Sequence, residues 1–205
     1  ASPPMTSRFL SMLAGLHGCI WNASEIGRGL GLGYHTVNRY LDFLEGTFLI
    51  RRLAPYSRNI GKRLARSPRV FWRDCGLLHS RWDLSSPEAL RSHPQVGRSW
   101  EGFVIEQVLS FLSLKGLRWE ASFLRTQDGR ELDLVLEGEG LTWAIEVKAS
   151  SQARSEDLAA LQRKAGLIKA KKSILVTRQE GTHGGPDRWA TDLRGLLEIL
   201  AESAR

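Results

Sequence analysis

No apolar run in this chain approaches the roughly 18 residues a helix needs to cross a bilayer. The best stretch, Phe9 to Trp21, is broken by His17 and two glycines and reads as a buried helix. That pattern argues against a membrane protein. Cysteine is almost absent: Cys19 and Cys75 stand far apart, without the dense, even spacing of a secreted disulfide framework, so a reducing, cytoplasmic setting is expected. No glycine loop ends in Gly-Lys-Ser/Thr, so this chain alone is not expected to hydrolyse nucleotides. Neither a repeat nor a low-complexity tract occurs. Zinc ligation by Cys75, His79, His17, Cys19 and His93 is disfavoured, because no Cys-x-x-Cys or repeated chelating pair is present.

Acidic residues are missing from one place in particular. From Arg51 to Arg73 there are eight basic residues (Arg51, Arg52, Arg58, Lys62, Arg63, Arg66, Arg69, Arg73) and no carboxylate. Residues 1–92 carry 13 Lys+Arg against 6 Asp+Glu, while residues 93–205 carry 16 of each, so the chain's whole +7 excess is N-terminal. Such a run is the footprint expected of contacts to a phosphate backbone, the alternative being a solvated face or a dock for an acidic protein.

Around this run the pattern is that of a helix-turn-helix. Ser24 is suited to cap a short helix, and Ile26, Leu30, Val37, Leu41 and Leu44 recur at helical spacing on either side of a Gly31–Gly33 turn. The second helix, about Tyr34 to Glu45, is expected to bury Val37, Leu41 and Leu44 and to present His35, Thr36, Asn38 and Arg39 outward, as a recognition helix does. Strands are expected at Thr47–Leu53 and Arg69–Trp72, and the basic segment between them has the place of a wing, with Arg58, Lys62, Arg63 and Arg66 as its DNA-contacting residues. Pro87 and Ser92-His93-Pro94 read as a linker, dividing a basic winged helix (1–92) from a second domain (93–205).

The second domain reads as an α/β (α+β) unit in the order αβββαβα. Its elements are a helix at Gly97–Leu114, strands at Leu117–Arg125, Glu131–Glu137 and Leu141–Lys148, a helix at Ser155–Ile168, a strand at Ser173–Thr177 and a helix at Asp187–Ala201. Side chains two apart in a strand share a face. Glu131 and Asp133 therefore oppose Leu132, Leu134 and Leu136, while Glu146 and Lys148 oppose Ile145 and Val147. If the two strands pair, Asp133, Glu146 and Lys148 converge. Two hard oxygen donors suit Mg²⁺ or Mn²⁺, which fills its shell with water and substrate phosphate, and an adjacent ammonium stabilises developing charge or orients a water. Glu101, with Glu106 as its rival, is expected to add a third, helical carboxylate to the metal or to hold Lys148. The alternative is a salt-bridged strand edge. Arg125, at the end of its strand, is either a phosphate contact or an ordinary charged terminus.

At Asp133, Glu146-x-Lys148 and Glu101 the chain resembles the PD-(D/E)XK, or restriction-endonuclease-like, superfamily. Leu132 stands where many members have proline, a frequent variation that leaves the chemistry intact. The resemblance implies a mixed central sheet in αβββαβ order and a nuclease whose metal is held by Asp133, Glu146 and Glu101, with Lys148 assisting catalysis. The stretches NASEIGRGLGLGYHTVNRYLDFLEGTFLIRRLAPYSRN, KRLARSPRVFWRDCGLL, GRSWEGFVIEQVL, ELDLVL and AIEVK extend it: they resemble the C-terminal region of a family of prokaryotic AAA-type ATPases. That resemblance implies DNA as a partner and an N-terminal ATPase domain outside this chain, of which a chain opening on ASPPM is expected to be the C-terminal part.

Overall fold

A computed structural model describes residues 3–58 and 64–203, which divide by their contacts into two compact units. The first comprises residues up to Leu53 with Ser67–Phe103, and the second Ala54–Arg66 with Val104 onward. The expected boundary lay near residue 93, whereas the division by contacts falls inside one continuous helix.

In the first unit, α1 (Pro3–Gly15) leads through β1 (Cys19–Ile20) to α2 (Ala23–Leu30) and α3 (Tyr34–Gly46). The cap of α2 is Asn22, whose side chain accepts the Glu25 amide at 3.2 Å, and not Ser24 as expected. Gly31 ends α2 in the left-handed region, and the chain folds back so tightly that the Leu32 amide bonds to Gly27 O at 2.9 Å. A Cβ at Gly27 would meet Leu32 O at 2.5 Å, so the tight turn depends on glycine there. The expected inward set of α3 is buried: Val37, Leu41 and Leu44 join Phe9, Leu13, Ile26, Ile50, Val70, Trp72 and Leu78 in one core.

β2 (Ile50–Pro55) and β3 (Arg69–Trp72) follow and pair antiparallel, with β1 on the other side of β3. Next come α4 (Cys75–Arg81), capped by Asp74, and α5 (Pro87–Ser92). α5 occupies the stretch expected to be linker. Ser86 caps it through the Ala89 amide, and Pro87 sits in its first turn, where the missing N–H costs nothing.

Two buried polar groups tie this unit together. His17 accepts the Trp72 amide on Nδ1 and donates from Nε2 to Arg98 O, both at 3.1 Å, so it is held as the neutral imidazole. Arg69 donates to Gly18 O at 2.7 Å and opposes Glu101 Oε1 at 2.6 Å, close but without a well-angled hydrogen bond between those two atoms.

α6 (Val96–Leu114) leads into the second unit, with β4 (Glu120–Arg125), β5 (Glu131–Gly138), β6 (Leu141–Val147), α7 (Ser155–Leu167), β7 (Lys172–Val176), β8 (His183–Gly185), β9 (Arg188–Thr191) and α8 (Leu193–Ser203). Its mixed sheet runs β4-β5-β6-β7-β9-β8: antiparallel from β4 to β6, parallel from β6 through β7 to β9, antiparallel again at β8. α7 is the crossover that a parallel β6–β7 pair requires. It covers the face carrying Leu124, Leu132, Val135, Ala144 and Leu175 through Leu161, Ala165 and the following Ile168. The other face is buried as well, at Leu134, Leu136, Trp143, Ile145 and Ile174.

One expectation is corrected here, and a second meets an unexpected neighbour. The helix expected from Asp187 begins only at Leu193, after Asp192 accepts the Gly195 amide at 2.8 Å; residues 183–191 form the β8–β9 hairpin, where β9 gains backbone partners along the open side of β7. The basic segment expected as a wing is bound along β4 at both of its described ends. Tyr56 N donates to Phe123 O at 2.7 Å, Ala65 N to Arg125 O at 3.0 Å, and Tyr56 is buried in the α7-side core. Burying an aromatic ring and satisfying edge amides outweighs leaving the strand edge to solvent.

His17 makes the first unit acid-sensitive. Burial is the main cause that lowers its pKa from 6.5 to about 4. Its neutral form is favoured in the folded state, so its contribution is complete above pH 6.5 and lost as the pH falls towards 4. At about 1.4 kcal/mol per unit, thermal or urea unfolding followed between these pH values should show a loss of about 3 kcal/mol that a His17→Gln variant lacks.

Candidate functional site

The ladder between β5 and β6 stops at the Leu134–Ile145 pair. On its other side β5 changes register against β4: Val135 faces Ser122 but Leu132 faces Leu124, so Asp133 and Leu134 together oppose the single residue Phe123. This β-bulge breaks the strict alternation expected for Glu131 to Leu136 and puts Leu132 in the same core as Val135. Asp133, at the bulge, turns its carboxylate toward the neighbouring strand, where Oδ2 accepts the Val147 amide at 2.8 Å. The side chain thus continues the ladder at the point where the two strands part.

Glu146 lies one residue beyond that parting, on the α7 face beside Leu175, and is only 5% exposed. A carboxylate so deep in protein requires compensation. It receives two ammonium groups: Lys148 Nζ at 2.8 Å from Oε1 and Lys164 Nζ, reaching from α7, at 2.6 Å from Oε2. Asp133, Glu146 and Lys148 line one cleft of about 670 Å³ with Arg130 from the β4–β5 turn and Ala160, Arg163 and Lys164 from α7. Burial alone would depress the Lys148 pKa, but the hydrogen bond and charge of Glu146, with Asp133 and Asp157 behind it, leave it raised above 10.5. Lys148 is therefore an ammonium at neutral pH, suited to neutralising an oxyanion or orienting a water and unsuited to accepting a proton.

Of the four residues expected at this site, three come together. Glu101 belongs to the first unit and faces Arg69. Its rival Glu106 is buried in the second unit, accepts from Ser110 Oγ at 3.3 Å and does not line the cleft. Arg125 is paired with Glu131 at 2.7 Å. Sequence reasoning missed Arg130, Arg163 and Lys164. Ala160, Arg163 and Lys164 stand at helical i, i+3, i+4 spacing and so share one face, which by sequence alone reads as a solvated basic stripe.

Among the described residues, no group of three or more His, Cys, Asp or Glu is arranged to hold a metal ion. The cleft is lined by three carboxylates: Glu131, paired with Arg125, and the hard oxygen donors Asp133 and Glu146. The last two suit a cation which keeps its waters and borrows phosphate oxygens, but a cation on Glu146 must displace an ammonium.

The residues expected to contact nucleic acid divide. His35, Arg39 and Arg66 are exposed and Thr36 is half-buried. Asn38 is engaged, accepting from Trp21 Nε1 at 2.9 Å. Arg58 pairs with Glu137 at 2.7 Å. Lys62 and Arg63 lie outside the described residues. Elsewhere in the basic run, Arg52 is gripped by Asp42 at 2.9 Å and by Glu45, and Arg69 is buried, so less of that charge is offered outward than a count implies.

Residues 1–88 match one domain of unknown function (DUF8612) and residues 96–194 another (DUF4143). Two curated relatives, an uncharacterised protein of Mycobacterium bovis and one of Mycobacterium tuberculosis, are each 40% identical over 144 residues. The matched segment is 70% of this chain and 32% of each relative, so the chain spans about a third of the length of the curated relatives it matches. Among the described residues, no helix is long and apolar enough to cross a membrane.

The raised pKa of Lys148 rests on Glu146. In a Glu146→Gln variant, burial dominates and the Lys148 pKa should fall below its wild-type value, measurable by NMR titration of the labelled lysine side chain. In the wild type, the contribution of this pair to stability is complete below pH 10.5 and is lost as pH rises through the raised value.

Proposed function

We propose that the second unit is a metal-dependent phosphodiesterase acting on DNA, and that the first is a DNA-binding element of winged-helix type built on α2 and α3. In this reading the domains expected at 1–92 and 93–205 form the C-terminal part of an AAA-type ATPase. The observation that carries it is the meeting of Asp133, Glu146 and Lys148 at the parting of β5 and β6, in a cleft rimmed by Arg130, Arg163 and Lys164. The order α6-β4-β5-β6-α7-β7 supports the restriction-endonuclease-like reading.

Asp133 and Glu146 would hold Mg²⁺ or Mn²⁺, which when bound lowers the pKa of a coordinated water and polarises a phosphoryl oxygen. Asp133 arrives with its orientation set by the Val147 amide, so little ordering remains to be done when the site is used. Lys148 supplies a fixed positive charge beside the phosphate. Arg130 and Arg163 bind neighbouring phosphates of the strand and keep the reacting one in place. On α3, Arg39 and His35 meet the duplex, with Arg66 as a further backbone contact. A second reading, a non-catalytic DNA- or partner-binding module that regulates the ATPase, is favoured by one observation: both Glu146 oxygens are already occupied by lysines.

The two readings part on cleavage. Plasmid, linear, branched and single-stranded DNA incubated with Mn²⁺ should be cut by the wild type, and Asp133→Ala or Lys148→Ala should lower the rate at least about a hundredfold, the scale on which removing one transition-state contact acts. DNA bound with steep salt dependence but never cut would instead favour the regulatory module.

A further inference from the structure

Lys164 is the cleft residue that the nuclease reading leaves without a task, and its placement is specific. It extends from α7, its side chain is 15% exposed, and its ammonium lies 2.6 Å from Glu146 Oε2. Lys148 already supplies a counter-charge to the other oxygen at 2.8 Å. One buried carboxylate therefore has an ammonium group on each of its oxygens. We propose that Lys164 is a removable counter-cation that closes Glu146 to divalent metal until a phosphate-bearing strand enters the cleft.

The case rests on charge and on which lysine is able to leave. Both Glu146 oxygens are taken by ammonium groups, so a dication approaching Glu146 meets two positive charges at short range. One lysine must move. Lys148 directly follows β6, the strand that carries Glu146, and Asp133 and Asp157 add to Glu146 in holding its charge. Lys164 comes from a different element, α7, and stands one residue from Arg163, which with Arg130 lines the same cleft and would receive a polyanion. A phosphate diester drawn in by those arginines offers Lys164 a new anionic partner. As it swings to that partner, Glu146 Oε2 is released to a metal. Metal and nucleic acid then favour one another, and each raises the affinity for the other by the same factor. The alternative role for Lys164 is a permanent ion pair that fastens α7 to β6, which predicts no such coupling.

This inference rests on the nuclease reading but fails separately from it. The measurement is Mn²⁺ binding, read from the spin-resonance signal of free Mn²⁺, with and without a short phosphorothioate-linked DNA duplex, for the wild type, Lys164→Met and Lys164→Arg. Wild type alone should bind Mn²⁺ weakly, and the duplex should tighten it on the order of tenfold, within the usual range of such couplings. Lys164→Met should bind Mn²⁺ about that much more tightly without DNA and show little further gain, while Lys164→Arg should keep the wild-type coupling. Wild-type affinity for Mn²⁺ unchanged by duplex would overturn the counter-cation role without need of a variant that folds, and would leave the nuclease reading standing. No Mn²⁺ binding by any of the three proteins, with or without DNA, would overturn both.

Discussion

A carboxylate taken out of water must be answered by charge or hydrogen bonds, and the second unit is arranged around one such carboxylate. Glu146 is at the inner end of β6, where the strand has left β5 and pairs only with β7. Lys148 answers it from the same strand and Lys164 from the covering helix. The Asp133 carboxylate, one strand away, replaces the missing backbone acceptor for Val147. Hydrophobic burial supplies the walls of this arrangement, since Leu132, Leu134, Ile145 and Leu175 are all without solvent exposure. The polar groups decide how the walls open.

The first unit obeys the same constraint with different groups. His17 satisfies a strand amide and a helical carbonyl, and Arg69 is held by Gly18 O and Glu101. A basic residue in sequence is thus not a basic residue on the surface. Arg52, Arg58 and Arg69 each have a carboxylate within the protein, and these carboxylates come from stretches far from the basic run or from the helix before it. A run with no acidic residue within it acquires carboxylates in space.

Much of the local structure could be read directly. Helical spacing located α3 and its buried face of Val37, Leu41 and Leu44, and strand patterning located β5, β6 and β7 within a residue or two. The three residues Asp133, Glu146 and Lys148 were legible because two apolar strands each carried charges that apolar burial alone does not explain. What escaped was short or ambiguous. Four residues of β9 are too few to distinguish a strand from the first turn of a helix, and α5 hid behind a proline that in its first turn is permitted.

By itself the sequence determined the periodicities, the glycine turn between α2 and α3, the strands that carry the site and the three charged residues that line it. These are local properties, set by the geometry of neighbouring residues along one chain. Only the tertiary structure decided that a bulge turns Asp133 toward β6, that Lys164 reaches Glu146 from α7, that Glu101 faces Arg69, and that the segment around Tyr56 lies along β4. Each of these joins groups far apart in sequence, and charge pairing and edge hydrogen bonds depend on distance in space, which no spacing along the chain encodes.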